Sequence, residues 1–381
     1  MLELLPLALA VQLGQAQEIA RIMDDGIREG VFPGAVVVVG TRERVLLARG
    51  YGRLTWSEEG PAPSPDSTLY DLASLTKVVA TTPSMMLLLD AGSIGLDRPV
   101  RDYLPEFWGP GKDAVTVRHL LEHRSGLRAF LPLNDLASTE AEARRLVLEE
   151  PLSWPPGRSV VYSDLNAMIL GWIVERVTGI GLEEFLREGL YRPLGLTETG
   201  FLPPREARLR AAPVGLWRGH AIAGEVHDQN AARLGGVSGH AGLFSTGRDL
   251  ARYAQLWLRR GRLPNGERIF HPETVALFSA RGPGGRALGW EMRDTTSREN
   301  TGDLLSSAAY GHGGFTGTSL WIDPVRDLFV IVLTNRVFAP RTRNSITKLK
   351  EIRARVADAA VALRIEMCGF GGVGRTSAAR C

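Results

Sequence analysis

The sequence has few cysteines, little net charge and no long apolar run. Its 381 residues include two cysteines, Cys368 and Cys381, which are too few for a disulfide framework or a cysteine-rich zinc site. Forty-five lysines and arginines against 42 aspartates and glutamates give a formal charge of +3, so no strong field directs the chain to nucleic acid. No uncharged apolar stretch approaches the roughly 18 residues that cross a bilayer. We therefore expect neither nucleic acid nor a membrane span.

The composition is typical of a globular protein, with 44% hydrophobic and 23% charged residues, and it excludes a mostly disordered chain. The apolar segment Leu4–Val11 follows an acidic residue, and the first basic residue is Arg21. Because a secretory signal begins with positive charge, we interpret this segment as the lead-in to a helix and expect a cytoplasmic protein, with a periplasmic or secreted protein as the alternative. The glycine-rich segment 367–381 is expected to be a disordered tail.

Apolar periodicity predicts a helix and a strand pair near each end of the chain, separated by a long helical region. Helices are predicted over 12–29, 74–91, 116–123, 138–150, 164–178, 247–260 and 345–366. Strands are predicted over 35–39, 44–49, 317–322 and 328–333. We expect these strands to form one antiparallel sheet flanked by the two terminal helices, which is an α/β (α+β) fold.

The order of the elements predicts one domain over 12–366 with two lobes. The α/β lobe is expected at about 12–70 and 286–366, and a mostly helical lobe at about 71–285. We expect the functional site in the cleft between them.

The sequence contains no Gly-x-Ser-x-Gly, the turn that presents the nucleophile in α/β-hydrolases. It does contain Ser74-Leu-Thr-Lys77 at the start of a predicted helix. Three positions apart on a helix, the two side chains share one face. A helix N-terminus favours negative charge on the serine oxygen, and a desolvated lysine can accept the serine proton. The spacing is compatible with a nucleophilic serine, but Ser-x-x-Lys recurs by chance in chains of this length, and on this string alone a capping serine followed by a surface lysine is the favoured interpretation.

Two further strings bear groups of the kind that acyl transfer needs. Tyr162-Ser-Asp164 opens another predicted helix, and a phenol near an ammonium can carry protons. Tyr310-Gly-His312-Gly-Gly314-Phe315 leads into the late strands, where glycines let a ligand approach the backbone and an N–H can stabilise an oxyanion. Taken alone, the first string is better explained by a core tyrosine and the second by a glycine-rich turn between strands.

Together, Ser74-Leu-Thr-Lys77, Tyr162-Ser-Asp164 and His312-Gly-Gly314 resemble the Ser-x-x-Lys, Tyr-x-Asn and Lys/His/Trp-x-Gly motifs of the serine β-lactamase and penicillin-binding-protein superfamily. The resemblance is greatest to the branch of class C β-lactamases, D-alanyl-D-alanine carboxypeptidases and family VIII esterases. It implies a β-lactamase-like fold and a serine hydrolase that forms an acyl-serine intermediate, with no metal and no organic cofactor. The implied substrates are a small-molecule ester, a β-lactam or a short peptide.

The resemblance also implies a role for each matching residue. Ser74 would be the nucleophile, Lys77 would help to deprotonate it, and Tyr162 would act as general base and then as general acid. The backbone N–H groups of Ser74 and Phe315 would form the oxyanion hole, and His312 would bias the Tyr162 proton and contact the acyl group. The implied substrate-binding residues are Asp164, His312, Gly314 and Phe315.

The chain departs from the family pattern at two positions. Asp164 replaces the usual asparagine, and a carboxylate there would pair with Lys77, raise its pKa and leave Tyr162 as the base. Asn166, two residues on, could supply the missing amide instead. His312-Gly313 replaces Lys-Thr of class C β-lactamases, and a neutral histidine offers less positive charge to a substrate carboxylate.

The second departure leads us to expect a carboxylesterase that handles uncharged esters better than β-lactams. A β-lactamase or D-amino-acid peptidase of the same fold is the alternative, and a sensor that is acylated without turnover is the alternative from another class. His119 and His123 are interpreted as core or turn histidines. The segment Glu225-Val-His227-Asp228 is interpreted as a structural loop that borders the cleft.

Overall fold

The computed structural model of the chain describes residues 4–370. Of the predicted tail over 367–381, residues 371–381 lie outside this described part, and residues 367–370 continue the last helix. The helices are α1 (Leu4–Arg28), α2 (Thr82–Asp90), α3 (Val117–Leu121), α4 (Leu133–Leu136), α5 (Glu140–Glu149), α6 (Asp164–Thr178), α7 (Leu182–Leu186), α8 (Arg192–Leu194), α9 (Arg205–Arg208), α10 (Gln229–Arg233), α11 (Gly247–Leu258), α12 (Pro272–Ser279) and α13 (Ser345–Phe370). The strands are β1 (Gly34–Gly40), β2 (Val45–Gly52), β3 (Tyr70–Asp71), β4 (Gly200–Phe201), β5 (Gly215–Trp217), β6 (His220–Ile222), β7 (Leu243–Ser245), β8 (Glu291–Met292), β9 (Tyr310–Gly313), β10 (Ser319–Asp323) and β11 (Leu328–Thr334).

The principal sheet joins the two ends of the chain, as predicted. Its six strands run in the order β2-β1-β11-β10-β9-β8, and neighbouring strands are antiparallel. Val37 of β1 lies opposite Val332 of β11 on one side and Arg49 of β2 on the other. The β1–β2 hairpin and the β10–β11 pair both confirm predicted strands, which places the late glycine-rich string on β9 beside them.

Both faces of β1 are buried, because helices cover both sides of the sheet. Val37 packs with Ile22 of α1 and Leu349 of α13 in one apolar cluster. Val36 packs on the opposite face in a second cluster that includes Leu250 of α11. A strand covered on both faces has a continuous apolar sequence rather than an alternating one, which explains the valine run of β1.

The predicted helix over 74–91 is wrong as a single α-helix. Ala73–Leu75 form a 3₁₀ turn, Lys77–Thr81 form a π-helix, and the regular α2 starts at Thr82. Pro83 has no N–H to donate to the preceding turn. The carbonyl oxygens of Val78 and Val79 accept hydrogen bonds from the hydroxyls of Tyr253 and Tyr191 instead. Two distant tyrosines therefore stabilise the irregular turn that carries Lys77.

A second, smaller sheet was not predicted from the sequence. Its order is β3-β7-β4, with Asp71 of β3 opposite Phe244 of β7. The ladder continues beyond the strand, since Leu72 N donates to Leu243 O over 2.9 Å. This pairing places the segment around residue 240 directly beside Ser74. Strands of two or three residues are too short to give a periodic signal.

The division into an α/β lobe at about 12–70 and 286–366 and a helical lobe at about 71–285 stays a prediction. Within the described residues, no single helix is long and apolar enough to cross a membrane. One bent pair, Asp164–Thr178 with Leu182–Leu194 at 77°, meets the length and composition criteria together.

Candidate active site

Lys77 is the centre of a compact polar cluster. Its side chain is only 3% exposed, and its Nζ donates to Ser74 Oγ over 3.0 Å and to His240 O over 3.2 Å. The third neighbour is Asp164 Oδ1, at 2.7 Å from Nζ. The first two contacts are hydrogen bonds, and the third is an ion pair. The geometry therefore holds Lys77 in its charged form, with one proton directed at the Ser74 oxygen.

The ion pair between Lys77 and Asp164 was predicted and is present. Burial would lower the pKa of Lys77, but the charges of Asp164 and Tyr162 outweigh it and raise the pKa above its usual value. Burial would raise the pKa of Asp164, but the Lys77 ammonium holds it below its usual value. Each charge thus stabilises the other, and Lys77 is a poor proton acceptor while Asp164 stays ionised.

The alternative that Asn166 supplies an amide to Lys77 is wrong. Asn166 is buried in α6, and its Oδ1 accepts from Ser125 Oγ over 2.6 Å. Its Nδ2 lies 3.2 Å from His123 Nδ1. Since residues 164 and 166 lie about 200° apart around a helix of 3.6 residues per turn, only Asp164 faces Lys77.

Tyr162 lies immediately before α6, over the same cluster. Its ring centroid is 5.0 Å from Lys77 Nζ, and the rings of His123 and His312 lie at 4.8 Å and 5.6 Å. The side chain is 37% exposed, so one part of it reaches solvent. The structure thus brings together Ser74, Lys77 and Tyr162, the three residues predicted to carry the chemistry.

Both histidines beside Tyr162 are buried and neutral. Burial lowers the pKa of His312 to about 4; Glu291 opposes this shift, and the charges of Arg286 and Lys77 reinforce it. Burial also lowers the pKa of His123 well below its usual value, and the charges of Arg286 and Lys77 add to the shift. His312 therefore brings no positive charge to the position where class C β-lactamases have a lysine.

A buried neutral His312 predicts a specific pH dependence of stability. The unfolded histidine takes up a proton below its ordinary pKa of 6.5, whereas the folded one does so only near 4. The unfolded state therefore binds more protons in this window, and stability falls as the pH falls from 6.5 toward 4. We expect His312→Gln to lose less of its unfolding free energy between pH 7 and 5 than the wild type.

Urea unfolding of the two proteins at several pH values measures this difference. His220→Gln is the control, because His220 is exposed on the β5–β6 hairpin and is expected to leave the wild-type slope unchanged. An identical pH slope for the wild type and His312→Gln would contradict a buried neutral imidazole.

The turn that carries Gly314 and Phe315 is tied to the segment before Ser74. Thr316 Oγ1 donates to Asp71 O over 2.7 Å, and Thr318 Oγ1 donates to Leu72 O over 2.9 Å. A Cβ on Gly314 would lie 2.4 Å from Leu72 O and 2.2 Å from Thr318 Oγ1, so only glycine fits there. These contacts hold the backbone of residue 315 beside that of residue 74, as an oxyanion hole shared by both requires.

The Ser74 segment itself has strained and buried polar features. Ala73 has a φ of +47°, which an L residue rarely adopts. The Asp71 carboxylate accepts from Ala73 N over 2.8 Å and from His227 N over 2.7 Å. Burial raises the pKa of Asp71 to about 6, against the opposing effect of these backbone hydrogen bonds. Asp71 thus fixes both the nucleophile turn and the opposite loop.

A cleft of about 650 Å³ opens over Ser74. Its wall carries two exposed aromatic rings, Phe130 and Phe315, and the carboxylates of Asp135 and Asp228. The predicted loop at residues 225–228 does border this cleft. The complete set of lining residues is Ala73, Ser74, Phe130, Pro132, Asn134, Asp135, His227, Asp228, Gln229, Asn230, Ala241 and Phe315. None of these described lining residues is a lysine or an arginine.

Several residues of the site were not predicted to belong to it. His240 is buried, and its Nε2 lies 3.0 Å from Asp228 Oδ1 while its carbonyl binds Lys77. His123 was interpreted as a core or turn residue, and it is a turn residue with φ of +55° that also contacts Tyr162. Arg286 lies in a glycine-rich loop without periodicity, so no sequence signal marked it.

Within residues 4–370, no group of three histidine, cysteine, aspartate or glutamate side chains is arranged to hold a metal ion. The arrangement of charged and hydroxyl groups instead suits proton transfer to and from a serine oxygen.

Comparison with known proteins supports this chemistry. The family model described as Beta-lactamase matches residues 19–353. The chain is 35% identical over 306 residues to a Salmonella agona protein named "Putative D-alanyl-D-alanine carboxypeptidase", and the match covers 72% of this chain and 71% of the relative.

Solved structures share the fold. EstCE1, "a hydrolase with promiscuous acyltransferase activity", has a TM-score of 0.73 at 23% identity, with 91% of this chain and 100% of that chain covered. A penicillin-binding protein homologue from Caulobacter crescentus has a TM-score of 0.73 at 21% identity, with 92% and 97% covered. These likenesses confirm the predicted β-lactamase-like fold. The chain belongs to the beta-lactamase family, whose members are serine hydrolases.

Proposed function

We propose that the chain is a carboxylesterase that cleaves uncharged esters through an acyl intermediate on Ser74. The observation that carries the proposal is the cluster of Ser74, Lys77 and Tyr162, with Lys77 Nζ 3.0 Å from Ser74 Oγ. A hydroxyl becomes a nucleophile when a neighbouring group can take its proton. Lys77 is held as an ammonium by Asp164, so Tyr162 is the group that takes the proton.

The reaction then proceeds in two acyl transfers. Ser74 Oγ attacks the ester carbonyl as its proton passes to the tyrosinate oxygen of Tyr162, and the carbonyl oxygen accepts hydrogen bonds from the N–H groups of Ser74 and Phe315. The tetrahedral intermediate collapses, the ester C–O bond breaks, and Tyr162 returns the proton to the leaving alkoxide. A water then attacks the acyl-serine and gives a proton to Tyr162. Tyr162 passes this proton to Ser74 Oγ as the bond between Ser74 and the acyl group breaks and the acid departs. The Lys77 ammonium stabilises the negative charge on the Tyr162 oxygen before that oxygen takes a proton and after it returns one.

The charges around the cleft favour an ester over a carboxylate-bearing β-lactam. His312 is neutral because burial lowers its pKa to about 4. Asp135 and Asp228 line the cleft, and none of its lining residues in the described part of the chain is a lysine or an arginine. A substrate carboxylate placed beside Asp135 and Asp228 would therefore meet like charges, which is unfavourable in a partly desolvated site.

A direct comparison of substrates tests the proposal. We expect kcat/KM for p-nitrophenyl butyrate to exceed that for a chromogenic cephalosporin by at least about tenfold, or ~1.4 kcal/mol of transition-state stabilisation. A preference for the cephalosporin by the same factor would contradict it. The exposed rings of Phe130 and Phe315 give the butyryl chain apolar surface to contact.

A D-alanyl-D-alanine carboxypeptidase is the second candidate, which the name of the Salmonella agona relative favours. Release of D-alanine from a peptide ending in D-Ala-D-Ala separates the two candidates. A protein that is acylated by every substrate but releases no product would instead be a sensor. Intact-protein mass measured beside product release distinguishes a stable adduct from turnover.

A further inference from the structure

A second cation lies beside Tyr162. The guanidinium carbon of Arg286 is 5.5 Å from the Tyr162 ring centroid, compared with 5.0 Å for Lys77 Nζ. Both distances are within the roughly 6 Å over which a cation interacts with an aromatic ring. Arg286 comes from the loop before β8, on a different element from the residues of the three family motifs.

The guanidinium of Arg286 is poorly neutralised. Its side chain is 11% exposed, and its nearest carboxylate oxygen is Glu291 Oε1, 3.7 Å from Nη1. Its Nε and Nη2 atoms are buried and form no hydrogen bond with the described residues. An arginine keeps its charge in proteins, and a buried charge without a close counter-ion acts strongly on its neighbours.

The field of this charge reaches the groups around Tyr162. The positive charge of Arg286 contributes to the lowered pKa of both His123 and His312. Because both histidines are neutral, neither contributes a charge that acts on the Tyr162 phenol oxygen. The titratable and charged groups that face Tyr162 from the surrounding elements are Lys77, His123, Asp164, Arg286, Glu291 and His312.

Compared with the family pattern, this set of groups lacks the positive charge at the position of His312. Asp164 neutralises much of the Lys77 charge at 2.7 Å, and His312 is neutral where class C β-lactamases have a lysine. A phenol that accepts a proton from Ser74 must first be negatively charged, and this charge needs a nearby cation. The charge of Arg286 is compensated only loosely, by Glu291 Oε1 at 3.7 Å from Nη1.

We propose that Arg286 is a positioning residue that acts through Tyr162, with its guanidinium stabilising the tyrosinate that accepts the Ser74 proton. It supplies from a separate loop the positive charge that His312 does not. This inference rests on the proposed function, since it assigns a residue to the same acyl transfer.

The test compares Arg286→Gln with Arg286→Lys and with a matched control. We expect Arg286→Gln to lower kcat for p-nitrophenyl butyrate by about tenfold or more. Because the acid limb of the pH profile reports loss of the base form, we expect that limb to move to higher pH by about one unit. Arg286→Lys keeps a charge, so it is expected to recover part of the rate and to return the limb toward the wild-type position.

Arg281→Gln is the control for damage to the loop. Arg281 lies five residues earlier, and its Nη2 donates to the carbonyl oxygens of Arg293 and Ser307. It contacts none of the groups around Tyr162, so it is expected to keep the wild-type pH profile even if it lowers thermal stability.

A further variant moves the limb in the opposite direction. Glu291→Gln removes the carboxylate nearest to Arg286 and leaves its charge less compensated, so the acid limb is expected to move to lower pH. Because Glu291 is partly exposed, we expect Glu291→Gln to fold. This variant therefore still tests the proposal if Arg286→Gln fails to fold.

Three results would overturn the proposal. The first is a pH profile of Arg286→Gln identical to that of Arg281→Gln. The second is a rise in KM with unchanged kcat and pH profile, which would show that the guanidinium binds substrate instead. The third is a limb that moves to higher pH, or does not move, in Glu291→Gln. A wild-type protein that hydrolyses no ester would contradict the proposed function itself, and Arg286 would then have no such role.

Discussion

Replacing Ser74 by alanine is expected to lower kcat for p-nitrophenyl butyrate by at least about ten-thousand-fold, because removing a nucleophile removes the whole covalent pathway. The fold should be unaffected, since Ser74 is only partly buried and, among residues 4–370, only Lys77 donates a side-chain hydrogen bond to its hydroxyl. Initial rates for the purified variant, compared with its thermal unfolding curve, measure both expectations.

Ser84→Ala is the matched control for this experiment. Ser84 is buried in α2, ten residues after Ser74, and its Oγ donates to Ala80 O of its own helix over 2.8 Å. We expect this variant to keep the wild-type rate. Hydrolysis by Ser74→Ala at a rate similar to that of Ser84→Ala would remove Ser74 as the nucleophile.

Replacing Lys77 by methionine is expected to cost both activity and stability. The change removes the cation that stabilises Tyr162 and leaves the Asp164 carboxylate buried without its partner. Removing one member of a buried ion pair typically costs about 3 to 5 kcal/mol of unfolding free energy. The rate of ester hydrolysis is expected to fall by at least about a thousandfold, because both acyl transfers lose the same charge. Urea unfolding and initial rates measure the two effects.

A double variant separates the two roles of Lys77. In Lys77→Met/Asp164→Leu no unpaired charge remains, so most of the lost stability is expected to return. The activity is not expected to return, because the cation is still absent. Recovery of both properties together would mean that Lys77 only neutralises Asp164 and has no part in the chemistry.

The sequence predicted the parts of the fold that depend on local patterns. The continuous valine run of β1 and the periodic apolar positions of α13 are strong local signals, and the structure contains both elements. The predicted helix over 164–178 is confirmed by α6. Its long apolar segment ends at Gly179, whose φ is +75°. Glycine at this position is a usual helix stop.

The irregular turn that carries Lys77 could not be predicted, because distant residues stabilise it. The π-helix over Lys77–Thr81 depends on hydroxyl groups of Tyr191 and Tyr253, which are more than a hundred positions away. Pro83 indicated an interruption of the helix but gave no information about what replaces the missing hydrogen bond.

The residue types of the site were predicted more fully than its charges. The three family motifs identified Ser74, Lys77 and Tyr162 as candidate catalytic residues, and the structure places them in one cluster. The sequence alone could not decide whether Asp164 or Asn166 faces Lys77. The first residue of α6 decides it, because the start of the helix fixes the direction of each side chain. Arg286 belongs to a loop with no periodic pattern, so its position beside Tyr162 follows from the tertiary fold alone.

The most direct measurement of the central claim is the location of the covalent intermediate. Turnover of p-nitrophenyl butyrate is quenched with acid, and the protein is digested and mapped by mass spectrometry. In the wild type, we predict a butyryl group on the peptide that contains Ser74. In Ser74→Ala, we predict that the corresponding peptide carries no butyryl group. A butyryl group on another side chain, with hydrolysis continuing in Ser74→Ala, would contradict the account.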